Sequence, residues 1–358
     1  MRPGRASSLT SEEIRRRTRG LFLGLLVVGA ALGLLFGGLA AYAGMWPPAL
    51  VVESGSMQHS DTASDLGVLD TGDLAVIQAI RDPGDVVTYL AGRATGHTSF
   101  GDYGDVIAFA DPEPNETAVL LHRAFARVAR NASGGFDVPE LAAIPRSEWW
   151  GIASDGTNAS APYRLRSFDV AGMGWRHDLT IEWNLTALGT SYPNDGFLTF
   201  GDHNLYRASN RTDPWILTPL YVIARAQGEI PWVGLLRLTL VRSPEGCCEG
   251  WGSTNPDVGA PANSWWALDL LLIAAFATPV AMDLLWHRFS LRRLHRSGKE
   301  GVTVAGAPNP AIANPRGLDG AMTPEATPAA PIPREEFDAW LQAVDARIQR
   351  IRSSFGIR

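Results

Sequence analysis

Leu21–Trp46 is a run of 26 residues without a charge, dominated by Leu, Val, Ala and Gly. About 20 such residues cross a bilayer as a helix, so the chain is expected to begin with a membrane anchor, residues 21–46, behind a basic segment, residues 1–20. A cleaved secretory signal competes with this reading, because Arg15, Arg16, Arg17 and Arg19 precede the run and Ala41-Tyr42-Ala43 has the small-x-small form of a cleavage site. The apolar core of a signal spans only about 7–15 residues, which favours the anchor. A second apolar run, Trp265–Trp286, has Trp at both ends and His287, Arg288, Arg292, Arg293, Arg296 and Lys299 beyond it. Such flanks suit a second spanning helix. Asp269 and Asp283 lie close enough to its ends to reach the interface, and Pro279 is expected to kink the helix without ending it.

Both basic clusters should face the cytoplasm, leaving residues 47–264 outside and both termini inside. That middle segment carries 26 acids against 14 bases, a net of −12. A polyanion would be repelled, which argues against nucleic acid as a partner. Five Asn-x-Ser/Thr sites, starting at Asn115, Asn131, Asn158, Asn184 and Asn210, all fall between the two apolar runs, as expected of an exposed ectodomain that could carry sugar. The only cysteines are neighbours, Cys247 and Cys248. No disulfide framework can hold this chain together.

Between the apolar runs, Asp73–Ile80, Asp105–Ala110, Val119–Val128 and Trp232–Arg242 alternate with the period of two that marks half-buried strands. Asp82-Pro83-Gly84, Asp111-Pro112, Asn194-Asp195-Gly196 and Ile230-Pro231 punctuate them as turns. The expectation is an antiparallel, mainly β ectodomain anchored by two transmembrane helices. Residues 134–191, rich in Gly, Ser, Trp and Asn and poor in periodicity, read as an insertion or small lobe. After the second run, residues 287–333 form a basic segment and an Ala/Pro-rich linker. Within the last segment, 334–358, Phe337, Trp340, Leu341, Val344, Ile348 and Ile351 recur at helical steps. An amphipathic cytoplasmic helix is expected there, docking on a partner, on lipid or on its own chain.

Just beyond the first run, Val51-Val52-Glu53-Ser54-Gly55-Ser56-Met57 presents a serine among small residues close to the outer membrane face. A serine hydroxyl needs a base before it attacks an amide. Lys299 is the only lysine and belongs to the cytoplasmic side, so a Ser–Lys dyad is excluded. His59, His97, His122, His177 and His203 remain on the correct side, with imidazole suited to take and return a proton near neutral pH. His122 lies within the apolar stretch Val119–Ala124, where a rigid strand would hold it in place. Asp202, in Gly201-Asp202-His203-Asn204, could orient an imidazole from another strand. The scattered histidines lack zinc-site spacing, so no metal or cofactor is expected.

The ordered series of Ser54-Gly55-Ser56-Met57, Thr71-Gly72-Asp73-Leu74, Gly104-Asp105-Val106-Ile107, His122-Arg123-Ala124, Thr199-Phe200-Gly201-Asp202-His203-Asn204 and Ile230-Pro231-Trp232 resembles type I signal peptidase of the archaeal and endoplasmic-reticulum type. In that family histidine replaces the lysine base of bacterial relatives. The resemblance covers roughly residues 20–242, interrupted by 134–191, and implies the signal-peptidase-like antiparallel β fold. It also implies Ser56 as nucleophile, His122 as general base and Asp202 as part of the Gly-Asp motif. The chain departs from the family pattern at His59, where proline is usual, and at His203, where the first asparagine of Gly-Asp-Asn-Asn would stand. It departs again at Ala208, where the family places its triad aspartate. Asp202 is therefore expected as third member slightly ahead of Asp213, which would serve if the loop 205–212 is longer here.

The resemblance implies a serine endopeptidase of the cytoplasmic membrane that removes signal peptides from exported preproteins after small residues. Backbone N–H near Ser56 and the Ser54 hydroxyl would form the oxyanion site. Its partners would be signal peptides and membrane lipid, with translocation machinery as a further candidate for the tail. The acidic, lysine-poor composition fits an archaeal source. Two alternatives stay open on the sequence: a non-catalytic assembly protein of the same fold, favoured by Ala208, and an unrelated β-rich surface domain.

Overall fold

The computed structural model describes residues 11–113, 118–192, 194–207, 212–241, 247–248, 250–254 and 259–297. Helix α1 (Ser11–Ala43) contains the first apolar run as far as Ala43. Its window Leu26–Ala43 has a mean hydropathy of 2.0 over 18 residues, long and apolar enough to cross a membrane. It is the one helix among the described residues that meets both conditions.

The chain then enters β1 (Ala49–Val51) and β2 (Leu74–Ala79), followed by α2 (Tyr89–Thr95) and a small hairpin of β3 (Thr98–Ser99) and β4 (Asp102–Tyr103). Next come β5 (Val106–Ala110), β6 (Val119–Arg130), β7 (Phe136–Asp137), β8 (Trp149–Ala153), β9 (Leu165–Met173) and β10 (Leu179–Trp183). Helix α3 (Leu185–Ser191), β11 (Gly196–Phe200), β12 (Val222–Ile230), α4 (Gly234–Leu240) and α5 (Ala262–Ser297) complete the order. Ten strands form one sheet in the order β1-β2-β12-β5-β6-β7-β9-β10, with β11 on β6 and β8 on β9. The named strand pairings are all antiparallel. The region after α1 is thus mainly antiparallel β, and the strands expected over Asp73–Ile80, Asp105–Ala110 and Val119–Val128 correspond to β2, β5 and β6.

One expectation is corrected. The strand expected over Trp232–Arg242 is not formed over its described part, Trp232–Val241, because Trp232 takes a left-handed backbone (φ 64°) and α4 follows. Leu235 and Leu238, three apart, are both fully buried, and a short apolar run of this kind satisfies either period. Within residues 134–191, β8, β9 and β10 form a continuous antiparallel layer. Register shifts at Ile152/Ala153 and Leu179/Thr180 break the alternation that would have revealed it.

The main core joins that layer to the rest of the sheet. Phe125 of β6 stacks on Trp183 of β10 with ring centroids 4.6 Å apart, and both are buried together with Phe168 and Phe200. A second cluster, with Ile107, Phe109, Phe197, Trp215 and Leu217, lies around the pairing of β5, β6 and β11. A third, with Val52, Met57, Leu69, Val106 and Ala226, underlies the loop after β1. Cys247 and Cys248 are disulfide-bonded to each other and buried with Leu235, Leu238 and Trp265.

The chain to Ala277 is one compact unit and Thr278–Arg358 another. The second apolar run lies within α5, which continues through Pro279. Residues 298–358, including the expected linker and amphipathic helix, lie outside the described residues, as do Ala208, Asn115 and Asn210.

Candidate active site

Ser56 is carried on a tightly braced loop. After β1 the backbone stays tied to the turn before β2, with Val52 N–H donating to Asp73 O at 2.9 Å and Gly72 N–H donating to Val52 O at 2.9 Å. Ser54 is extended and Gly55–Met57 forms a single 3-10 turn. Met57 is buried beneath it, which anchors the turn by about 1.5–3 kcal/mol. Gln58 is fully buried and accepts from Thr71 Oγ1 at 3.4 Å. Ser56 itself stays partly open to solvent.

His122 comes from β6, opposite Ile107 of β5, with its ring edge-on to Phe109. Its Nε2 lies 3.1 Å from Ser56 Oγ and its Nδ1 lies 2.8 Å from Asp213 Oδ2. A carboxylate only accepts, so in the neutral ring Nδ1 carries the proton and Nε2 is left to accept the serine proton. Asp213 is held by β11: its N–H donates to Thr199 O at 3.1 Å, and Thr199 Oγ1 donates to Asp213 Oδ2 at 2.5 Å. Trp215 Nε1 donates in turn to Thr199 Oγ1 at 3.1 Å. Gly201 passes so close that a Cβ there would lie 2.6 Å from Ser56 O and 3.1 Å from His122 Nε2. No larger residue fits at that crossing.

The line Ser56–His122–Asp213 corrects the expectation that Asp202 would be third. Asp202 is buried on the opposite face of β6, where Arg123 donates to it twice, from Nε at 2.7 Å and from Nη2 at 2.6 Å. The physical reason is the strand itself, since successive side chains point to opposite faces and His122 and Arg123 are neighbours. Arg123 also donates to the carbonyls of Ser99, Tyr103 and Gly104, each at 3.0 Å. Asp202 therefore reaches His122 only by its charge.

The electrostatics follow the pairing. Burial alone would push the His122 imidazole down, but the charge and hydrogen bond of Asp213, with a smaller push from Asp202, hold it above its ordinary value. Burial would raise the Asp202 carboxyl, yet the Arg123 guanidinium outweighs it and keeps the group below the usual carboxylate range.

The other four histidines of residues 47–264 make contacts of their own. His97 lies on Asp105 at 2.8 Å and His177 packs on the Tyr103 ring. His59 lies 3.2 Å from Asp202 Oδ2, and His203 Nδ1 donates to Gln58 O at 3.1 Å. Ser54 Oγ sits 3.4 Å from Ser56 Oγ. Thr199 and Arg123 were not assigned roles from sequence. The adjacency of His122 and Arg123 on a buried strand was the available signal, because the two demand separate carboxylates. Among the described residues no cluster of His, Cys, Asp or Glu could hold a metal ion.

No family model matches the chain, and no curated protein or solved structure is significantly similar to it.

Proposed function

We propose that the chain is a membrane-anchored serine endopeptidase that removes signal peptides from exported preproteins on the outer face of the cytoplasmic membrane. The observation that carries this reading is the alignment of Ser56 Oγ, the two nitrogens of His122 and Asp213 Oδ2 at 3.1 and 2.8 Å. Such a constellation is identified by geometry and roles, whatever the order of its members along the chain.

In the proposed mechanism His122 Nε2 takes the proton of Ser56 Oγ as the oxygen attacks the scissile carbonyl. Asp213 stabilises the imidazolium that forms. The Ser56 backbone N–H and the Ser54 hydroxyl donate to the tetrahedral oxyanion. His122 returns the proton to the leaving amine, and water, activated by the same imidazole, releases the acyl group from Ser56. Ser56 follows the end of α1 at Ala43 by 13 residues, a placement that suits cleavage of a precursor close to the membrane face. Helix α5 would provide the second span, with both termini cytoplasmic. The Cys247–Cys248 disulfide supports an extracytoplasmic location, since such bonds persist in oxidising compartments.

The experiment is cleavage of a signal-bearing precursor by the purified protein in lipid. Ser56→Ala and His122→Ala should each abolish product while leaving the protein folded. Equal cleavage by wild type and Ser56→Ala would refute the assignment.

A further inference from the structure

The C-terminal side of the nucleophile loop is gripped from an unexpected direction. Trp175 belongs to the tip between β9 and β10, in the segment whose sequence reads as an insertion. Its indole lies flat against His59, with centroids 4.4 Å apart and planes 6° apart. On the same platform His203 lies 6.4 Å away and nearly parallel, and Tyr206 packs at 3.9 Å. Both imidazoles hold the segment that follows Ser56. His59 is part of it and is tied to Asp202 at 3.2 Å. His203 donates to the Gln58 carbonyl at 3.1 Å.

The tip is itself fixed. Tyr206 Oη accepts from Arg176 N–H at 3.0 Å and donates to Asp178 Oδ1 at 3.0 Å. Gly174 passes so close to that ring that a Cβ would lie 2.6 Å from the hydroxyl.

We propose that Trp175 is a positioning residue for Ser56: the β9–β10 tip clamps His59 and His203, and through them sets the place of the nucleophile relative to His122. The proposal rests on the serine-peptidase reading of the site. The 3-10 turn Gly55–Met57 has no side-chain cap at its start, so contacts at its far end add to the ties of Val52 and the burial of Met57 in setting it. Stacking against His59 and the shared carboxylate of Asp202 supply those contacts, and Asp202 is rigid because Arg123 already holds both of its oxygens.

The test uses the full-length protein in lipid, with Trp175→Ala, Trp175→Phe, His59→Ala and the Trp175→Ala/His59→Ala double variant. Trp175→Ala should lower kcat about ten- to hundredfold, as expected of a misplaced nucleophile, with KM changed less than about twofold. Trp175→Phe keeps a flat ring and should restore most of the rate. The double variant should lose no more than the worse single, since both act through one contact. Hydrogen exchange of the amides of Met57–Ser60 should accelerate in Trp175→Ala and stay near wild type in Trp175→Phe. Unchanged exchange there, an unchanged kcat, or a phenylalanine variant as damaged as the alanine one would each overturn the clamp. If wild type neither cleaves precursor nor reacts at Ser56 with a serine-directed phosphonate, the peptidase reading fails. The exchange of Met57–Ser60 still decides whether Trp175 holds the loop.

Discussion

Two aspartates lie on either side of strand β6, and the chain uses them in opposite ways. Asp213 faces His122, a group that can gain and lose a proton, and is steadied by a single hydroxyl from Thr199. Asp202 faces Arg123, which stays charged at any working pH, and it is locked by a two-pronged ion pair with no exposed surface on the guanidinium. In the proposed mechanism the first pair changes its charge state during the reaction and the second keeps it. Adjacent residues on one strand thus send a titratable pair and a permanently charged pair to opposite faces.

The comparison breaks most visibly at the carboxylates themselves. Asp213→Asn should cost about 10⁴ in turnover, because the amide would favour the wrong tautomer of His122, while global stability changes little. Asp202→Asn should do the reverse. It leaves Arg123 buried with its partner's charge gone, a defect worth about 3–5 kcal/mol when one member of a buried pair is removed, and apart from the share that Asp202 contributes through His59 any loss of turnover should track the loss of folded protein. Precursor cleavage and chemical unfolding, measured on both variants, decide the matter. If Asp202→Asn lost as much turnover as Asp213→Asn while remaining as stable as wild type, the roles of the two aspartates would have to be exchanged.

How much of this was legible in the sequence depends on the range of the interactions involved. Strands β2, β5 and β6 announce themselves by local alternation, and Ser56 and His122 stand out through the order of short motifs and the lack of an outside lysine. The third member does not, since Asp213 is brought to His122 by the return of the chain onto Thr199 of β11, a contact set by the fold and not by spacing. Local pattern also misleads where two periods coincide, as in Trp232–Arg242, or where bulges interrupt alternation, as in β9 and β10. Trp175 was invisible for the same reason, because its partners His59 and His203 come from segments far away in the chain.

A smaller effect should come from the support behind Asp213. Thr199→Val removes the hydroxyl that donates to the carboxylate and leaves Trp215 Nε1 without its acceptor. Hydrogen bonds to charged groups contribute about 1.5–3 kcal/mol, and only the share that differs between ground and transition states reaches the rate. A decrease of about tenfold in kcat is expected, with KM unchanged. An unaltered kcat would show that Asp213 is oriented by its backbone alone.

The smallest effect sharpens the comparison through pH. The folded His122 titrates above its ordinary value, so the stability it contributes is full below about pH 6.5 and is lost as pH rises through the folded pKa. Asp202 is depressed, so its contribution is present above the ordinary aspartate range and disappears only as strong acid protonates it. Between pH 5 and 8, roughly the working range of imidazole, the stability difference between wild type and Asp213→Asn should therefore shrink with rising pH, while that between wild type and Asp202→Asn should stay flat. Activity should follow the opposite course from the His122 contribution, because only the neutral imidazole accepts the serine proton: cleavage rises as that stabilisation fades. Unfolding free energies of the three proteins across this range, set beside the acid limb of wild-type kcat/KM, test the coupling. A flat difference for Asp213→Asn, or an acid limb below the ordinary imidazole value, would mean that Asp213 does not govern the proton on His122.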